Sequence, residues 1–179
     1  LMHAAAQLPP GLGIVDAQAV DHFALSGPVA RAAGVLLDVR PVTHGLRYRD
    51  IGAVTYPTQQ DGDVRARVTQ LATEVTHAAD LVRRCVPECL ALADVPTDVL
   101  LPKVLRVPDG EYSSRIDTPL GTAYWYLVSA GDKMPHRLAL RPASLHTVLA
   151  LSTALRGARV QDVGMIVASM PFVTGDAER

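Results

Sequence analysis

Val64, Val68, Leu71, Val75, Ala78, Val82 and Cys85 recur at alternating steps of four and three. Residues so spaced share one side of an α-helix, so the run predicts a helix of about six turns with a single apolar stripe. It is expected from about Asp63 to Cys85. Asp61 or Asp63 can cap its start, and Pro87 is expected to stop it, because a proline nitrogen carries no hydrogen. Arg65, Arg67, Gln70, Glu74 and Arg84 fall on the other faces and read as a solvated or interface surface. A stripe of that length must be covered by other apolar elements, which points to a helical body built around it.

The chain of 179 residues suffices for one domain with a real core, spanning 1–179. With 49% hydrophobic and only 4% aromatic residues, that core must be made mainly of Val, Leu and Ala, which suits closely packed helices. The net charge of −1 removes any electrostatic case for nucleic acid or an anionic membrane surface. No apolar run reaches the roughly 18 residues a membrane span needs. The opening Leu1-Met-His-Ala-Ala-Ala-Gln lacks a basic leader and reads as a chain entered partway through a helix.

Pro9-Pro10 and Gly11-Leu-Gly13 make a turn. Val15 to Phe23 then reads as a short helix capped by Asp16. Ser26-Gly-Pro28 restarts the chain, with Pro28 suited to a first helical turn and Gly34 as the stop. Asp38-Val-Arg40, before Pro41, is expected to be extended or looped. From Gly110 the period changes. Glu111–Ile116, Thr122–Ser129 and His136–Arg141 are runs of strand formers separated by Pro119-Leu-Gly121 and Ala130-Gly-Asp-Lys133, an antiparallel meander with Tyr124 and Tyr126 on one face and Trp125 on the other. Ser144 can cap a helix through Leu155, closed by Gly157, and Gln161-Asp162 open another that Pro171 halts. The fold class is α+β: a mostly helical body with a small three-stranded antiparallel sheet before the two C-terminal helices.

Little chemistry is self-contained. The histidines His3, His22, His44, His77, His136 and His146 form no i, i+4 pair and no His-Glu-x-x-His run. Cys85 and Cys89 share a helix face and could be half of a metal or redox site, but without two further ligands they read as small buried apolar residues in a cytoplasmic protein. Phosphate-loop, dinucleotide-binding and nucleophile-elbow motifs are absent. Arg137 and Arg141 lie on one side of the third strand and are the interface candidates: they could clamp a carboxylate, a phosphate or an acidic loop, or form a solvated sheet face. The residues themselves therefore assign no catalytic group and no metal site.

An ordered set of segments resembles the C-terminal half of the D subunit of the NADH–quinone oxidoreductase, respiratory complex I, which is similar to the large subunit of nickel–iron hydrogenases. It comprises Ser26-Gly-Pro-Val-Ala-Arg-Ala-Ala-Gly-Val35, Asp38-Val-Arg40, Gly62-Asp63, Gly121 to Ser129, Arg141-Pro-Ala-Ser144, and Arg156-Gly157 followed by Gln161-Asp-Val163. The resemblance runs from about Gly11 to Arg179. It implies a place among the other subunits of an NADH–quinone oxidoreductase, an iron–sulfur subunit included. Quinone and NADH would belong to the parent complex, none bound by this chain, and the complex would sit peripherally on the inner face of the cell membrane.

The departures bear on activity. In Val167-Ala-Ser-Met-Pro-Phe-Val-Thr-Gly-Asp-Ala-Glu-Arg179, Pro171 stands where the family carries Asp, and Val173 and Asp176 stand where hydrogenases carry their nickel-binding cysteines. The family's Arg and Glu at the sheet turn are Leu120 and Thr122. By family position Met170, Phe172 and Val173 would line the apolar wall of a quinone cavity. Two readings follow: a degenerate or non-catalytic module, similar to the D subunit, on the quinone side of the complex, or a stand-alone interaction domain that kept the fold and lost the reaction.

Overall fold

The computed structural model describes residues 2–43, 48, 50, 56–96, 98, 100 and 102–177. His44 and the terminal Glu178-Arg179 lie outside them. The described elements are helices α1 (Met2–Ala6), α2 (Ala17–His22), α3 (Gly27–Ala32) and α4 (Val64–Ala91), strands β1 (Gly110–Thr118), β2 (Gly121–Ser129) and β3 (Arg137–Arg141), then helices α5 (Ala143–Ala154), α6 (Val163–Ser169) and α7 (Thr174–Ala177). Tight 3-10 turns occupy Arg40–Val42 and Val160–Asp162. The α+β class read from the sequence is the one observed, and the sheet is an antiparallel meander in the order β1-β2-β3. Tyr126 faces Ser113 and Ala139 across the strands.

The core forms where α2, α3, the first turn of α4, α5 and α6 converge. Val15, Val20, Leu25, Val29, Ala30, Val64, Ala150, Ala154, Ile166 and Met170 meet there. Small side chains at Ala30, Ala150 and Ala154 let short helices approach closely. Asp16 caps α2 by accepting the Ala19 N–H at 2.7 Å, as its position in the sequence requires. Asp63, not Asp61, caps α4: one carboxylate oxygen accepts the Ala66 N–H at 2.7 Å and the other the Gly11 N–H at 2.7 Å.

Helix α4 departs from expectation in two ways. It runs through Pro87 to Ala91. Proline deprives the Arg83 carbonyl of its partner, but residues 82–84 are exposed, where water can replace the missing N–H. Its apolar stripe is also covered only at the start. Val64 is buried, whereas Val75 and Val82 are each 61% exposed. Conversely Arg67 and Gln70, which the pattern places on a solvated or interface surface, are fully buried within the chain. The Arg67 guanidinium donates to the carbonyls of Gly13 (2.8 Å) and Gly62 (2.7 Å) and to the Ser169 hydroxyl (3.0 Å), so it ties the first loop, α4 and the end of α6 together. Burial pushes its pKa down to about 10, with Asp63 opposing.

The sheet joins the body through two glycines. A Cβ on Gly27 would lie 2.5 Å from the Gly121 Cα, and one on Gly121 would lie 2.6 Å from the Ser26 hydroxyl. Both have positive φ, +68° and +134°. Ser26 precedes α3, but its side chain does not cap that helix; its hydroxyl accepts the Thr122 N–H of β2 at 2.8 Å. Ser144 is another correction. It lies inside α5, buried, and Pro142 occupies the cap position. Its hydroxyl accepts the Val173 N–H and donates to the Asp176 carboxylate, both at 3.1 Å, and so clamps the tail.

Candidate functional site

The uncovered part of α4 floors a groove of about 900 Å³. Its long wall is apolar, with Leu71, Val75, Ala78, Leu81, Val82, Val86 and Leu90 on successive turns, and Cys85 and Cys89 among them. Both cysteines are free thiols, Cys85 half-buried and Cys89 exposed, so they are not the buried apolar residues their spacing first implied. Among the described residues no three His, Cys, Asp or Glu side chains gather as a metal site.

The other end of the groove is polar. Arg31, on the buried α3, donates from Nε and Nη2 to the two oxygens of Glu74 at 2.7 and 2.9 Å, and from Nη1 to the Leu37 carbonyl at 3.1 Å. Gln70 donates to Glu74 at 2.8 Å. Arg40 grips Asp38 in the same two-pronged way, at 2.9 and 2.6 Å, and donates to the Tyr56 hydroxyl at 2.8 Å. The two guanidiniums lie over the Tyr56 ring, 4.6 and 4.1 Å from its centre, a cation–π arrangement. Asp117, from the end of β1, lies 3.7 Å from Arg40 Nε.

Burial alone would raise the Asp38 carboxyl, yet the hydrogen bonds and charge of Arg40 hold it below the usual range. Burial raises Asp117, and its arginine neighbours do not offset that. Burial likewise raises the Tyr56 hydroxyl. A concave apolar wall ending in a few fixed polar groups is the form of a binding surface.

The residues singled out from sequence lie elsewhere. Met170 is 1% exposed, inside the core, while Phe172 is half-buried and Val173 is 50% exposed. None of the three borders the groove. Arg137 and Arg141 are both exposed on β3 but engaged separately: the first lies 5.9 Å from the Tyr126 ring centre, and the second donates from Nε to His146 Nε2. The Nδ1 of His146 donates to the Phe23 carbonyl at 2.7 Å, and burial lowers its pKa. Sequence reasoning passed over the ion-pair cluster. Arg31 and the Asp38-Val-Arg40 triplet had served only as markers of resemblance. Glu74 had been assigned to a solvated face, and Asp117 carried no signal at all.

This fold recurs in a solved structure, and the sequence matches a known family. Residues 9–179 match the family model described as respiratory-chain NADH dehydrogenase, 49 Kd subunit. The chain belongs to this family. It is 39% identical over 170 residues to the NADH-quinone oxidoreductase D 1 subunit of Streptomyces coelicolor, covering 94% of this chain and 44% of that protein. It is 31% identical to the F(420)H(2) dehydrogenase D subunit of Methanosarcina mazei, with 94% and 46% covered. Among solved structures, it superposes with a TM-score of 0.82 and 29% identity on a chain of the membrane-bound sulfane sulfur reductase, an archaeal respiratory membrane complex, covering 94% of this chain and 46% of that one. The chain thus spans less than half the length of these relatives. No helix among the described residues is long and apolar enough to cross a membrane.

Proposed function

We propose that this member of the 49 kDa subunit family works as a docking module within a quinone-reducing respiratory complex, on its quinone side, rather than as a catalyst by itself. The observation that carries the reading is the heptad-spaced apolar face of α4, open from Val75 to Leu90 and closed at one end by the Arg31–Glu74 and Arg40–Asp38 pairs. A row spaced by threes and fours accepts another helix by ridge-and-groove packing. The partners on this reading are the other subunits of the oxidoreductase, including an iron–sulfur subunit, and the complex would hold the chain at the membrane. Phe172 and Val173 would form one wall of a quinone cavity closed by a neighbouring element, with Met170 anchoring that wall from beneath. NADH and quinone chemistry would be supplied elsewhere in the complex.

The test is co-purification of the tagged chain with the other oxidoreductase subunits of its host. The iron–sulfur subunit is expected to co-elute, with Cys85 and Cys89 shielded from a maleimide that labels both in the free chain. Val82→Glu is expected to abolish co-elution while changing the stability of the free chain by no more than about 0.5 kcal/mol, because the side chain is already exposed. Elution as a lone monomer with both thiols open, in cells where the other subunits assemble, would overturn the proposal. Capture of a partner with no redox role would favour the stand-alone interaction domain.

A further inference from the structure

Among the described residues, the carboxylates Asp38, Glu74 and Asp117 meet the guanidiniums of Arg31 and Arg40 at the polar end of the groove. The hydrogen bonds show how the charges are shared. Both oxygens of Glu74 face Arg31, and both oxygens of Asp38 face Arg40. Arg40 Nε carries a single hydrogen, and it is given to Asp38 Oδ1 at 2.9 Å. Asp117 Oδ2, at 3.7 Å from the same nitrogen, is too far to accept a hydrogen bond. Its Oδ1 is buried with no hydrogen-bond partner among the described residues. The side chain is only 6% exposed, so little water reaches it. Directly across the sheet stands Thr122, whose buried hydroxyl has no partner either.

We propose that Asp117 is a proton-binding site: a buried carboxyl, one oxygen without a donor among the described residues, that takes up and holds a proton in the folded chain. The charge count sets the cause. Ionised, Asp117 is a further carboxylate beside two guanidiniums that already have bidentate partners; protonated, it adds no negative charge to the cluster. A buried carboxylate lacking hydrogen-bond donors loses hydration that nothing replaces, so the neutral form is favoured. The groups that face it are Arg31 from α3, Asp38 and Arg40 from the segment after α3, Tyr56 before α4, Glu74 from α4 and Thr122 from β2. Asp38 and Glu74 raise its proton affinity, and the arginines lower it by less than burial and the carboxylates raise it. Because Asp117 borders the groove, the proton enters and leaves by that route, and whatever covers the α4 face closes it. The site does not depend on the identity of that occupant.

Two measurements on the full chain test this. In a chain with 13C-labelled aspartate side chains, followed by NMR from about pH 3 to about pH 8, the Asp117 carboxyl resonance is expected to titrate above the ordinary aspartate value of 3.8. Assignment by sequential backbone correlation needs no variant. In denaturant titrations Asp117→Asn is expected to be more stable than the parent at about pH 7, with the advantage vanishing below the unfolded value of 3.8. The sign follows from linkage: a raised native pKa costs the parent stability above the unfolded pKa and nothing below it. A resonance titrating at or below 3.8, or an asparagine variant whose deficit is largest at neutral pH, would establish Asp117 as an ionised partner of Arg40 and overturn the proposal.

Discussion

Glu74→Gln tests how far the Arg31–Glu74 pair holds α3 against α4. Arg31 is 1% exposed and the Glu74 side chain 11%, so both charges are out of water and neither can recover hydration without opening the interface. The substitution removes the charge and turns an amide N–H₂ toward guanidinium hydrogens. Arg31 keeps the Leu37 carbonyl at 3.1 Å, the face of Tyr56 and one hydrogen bond to the amide oxygen, and loses the charged partner. Two charge-assisted hydrogen bonds at roughly 1.5–3 kcal/mol each give an upper bound. Breaking a buried pair by removing one partner costs about 3–5 kcal/mol. In a domain of this length that corresponds to a fall of roughly 6–20 °C in Tm. Arg31→Met is expected to cost a similar amount, because it leaves Glu74 with Gln70 as its remaining donor. The double variant Arg31→Met/Glu74→Leu, which replaces the pair by hydrocarbon, is expected to lie within about 1 kcal/mol of the parent or above it. Urea titrations of the parent, Arg31→Met, Glu74→Leu and their double variant, with equal m-values as the check on two-state behaviour, give the coupling energy. Single losses below about 1 kcal/mol that simply add in the double variant would refute the reasoning, since that is how a solvated pair behaves.

Gly121→Ala places a methyl 2.6 Å from the Ser26 hydroxyl on a backbone with φ +134°; a loss of roughly 2–5 kcal/mol is expected, with altered fluorescence of the sole tryptophan, Trp125, on the middle strand. Unchanged stability and emission would show that the sheet is not seated through this contact. Burial lowers the pKa of His146, so the unfolded chain binds a proton first: stability is expected to be full above the unfolded value of 6.5, to fall as pH drops below it, and to lose that dependence in His146→Gln. A dependence retained in the variant would place it on another group. Elemental analysis of the purified chain is expected to find neither nickel nor iron in stoichiometric amount, because the described tail carries no thiol and no cluster among the described residues offers three ligands. One metal per chain would contradict this.

Local signals carried the elements well. Asp16 and Asp63 are caps, turn residues separate the strands, and the three-four spacing marks α4, because each of these depends on neighbours in sequence. Burial was another matter. Arg67 is hidden because carbonyls from Gly13 and Gly62 and a hydroxyl from Ser169 converge on it, and no periodicity encodes that meeting. The apolar run from Val75 to Leu90 is open for the converse reason: a stripe states that a helix needs cover, not which segment provides it. The candidate site suffered most. Arg31 and Glu74 are 43 residues apart, and Asp117 belongs to a different element class from the groups around it.

The clamp on the tail has a consequence for how this lineage can change. Ser144 holds residue 173 by its main-chain N–H, a group that every amino acid except proline offers. The segment from Met170 to Thr174 therefore keeps its place whether position 173 bears a thiol or an isopropyl group. Chemistry there can be exchanged while the address stays fixed. The constraint falls instead on Asp176, whose carboxylate accepts the Ser144 hydroxyl proton, and on Met170, which is sunk in the core. A tail built this way is a socket for interchangeable side chains, and the side chain at 173 can change without refolding what surrounds it.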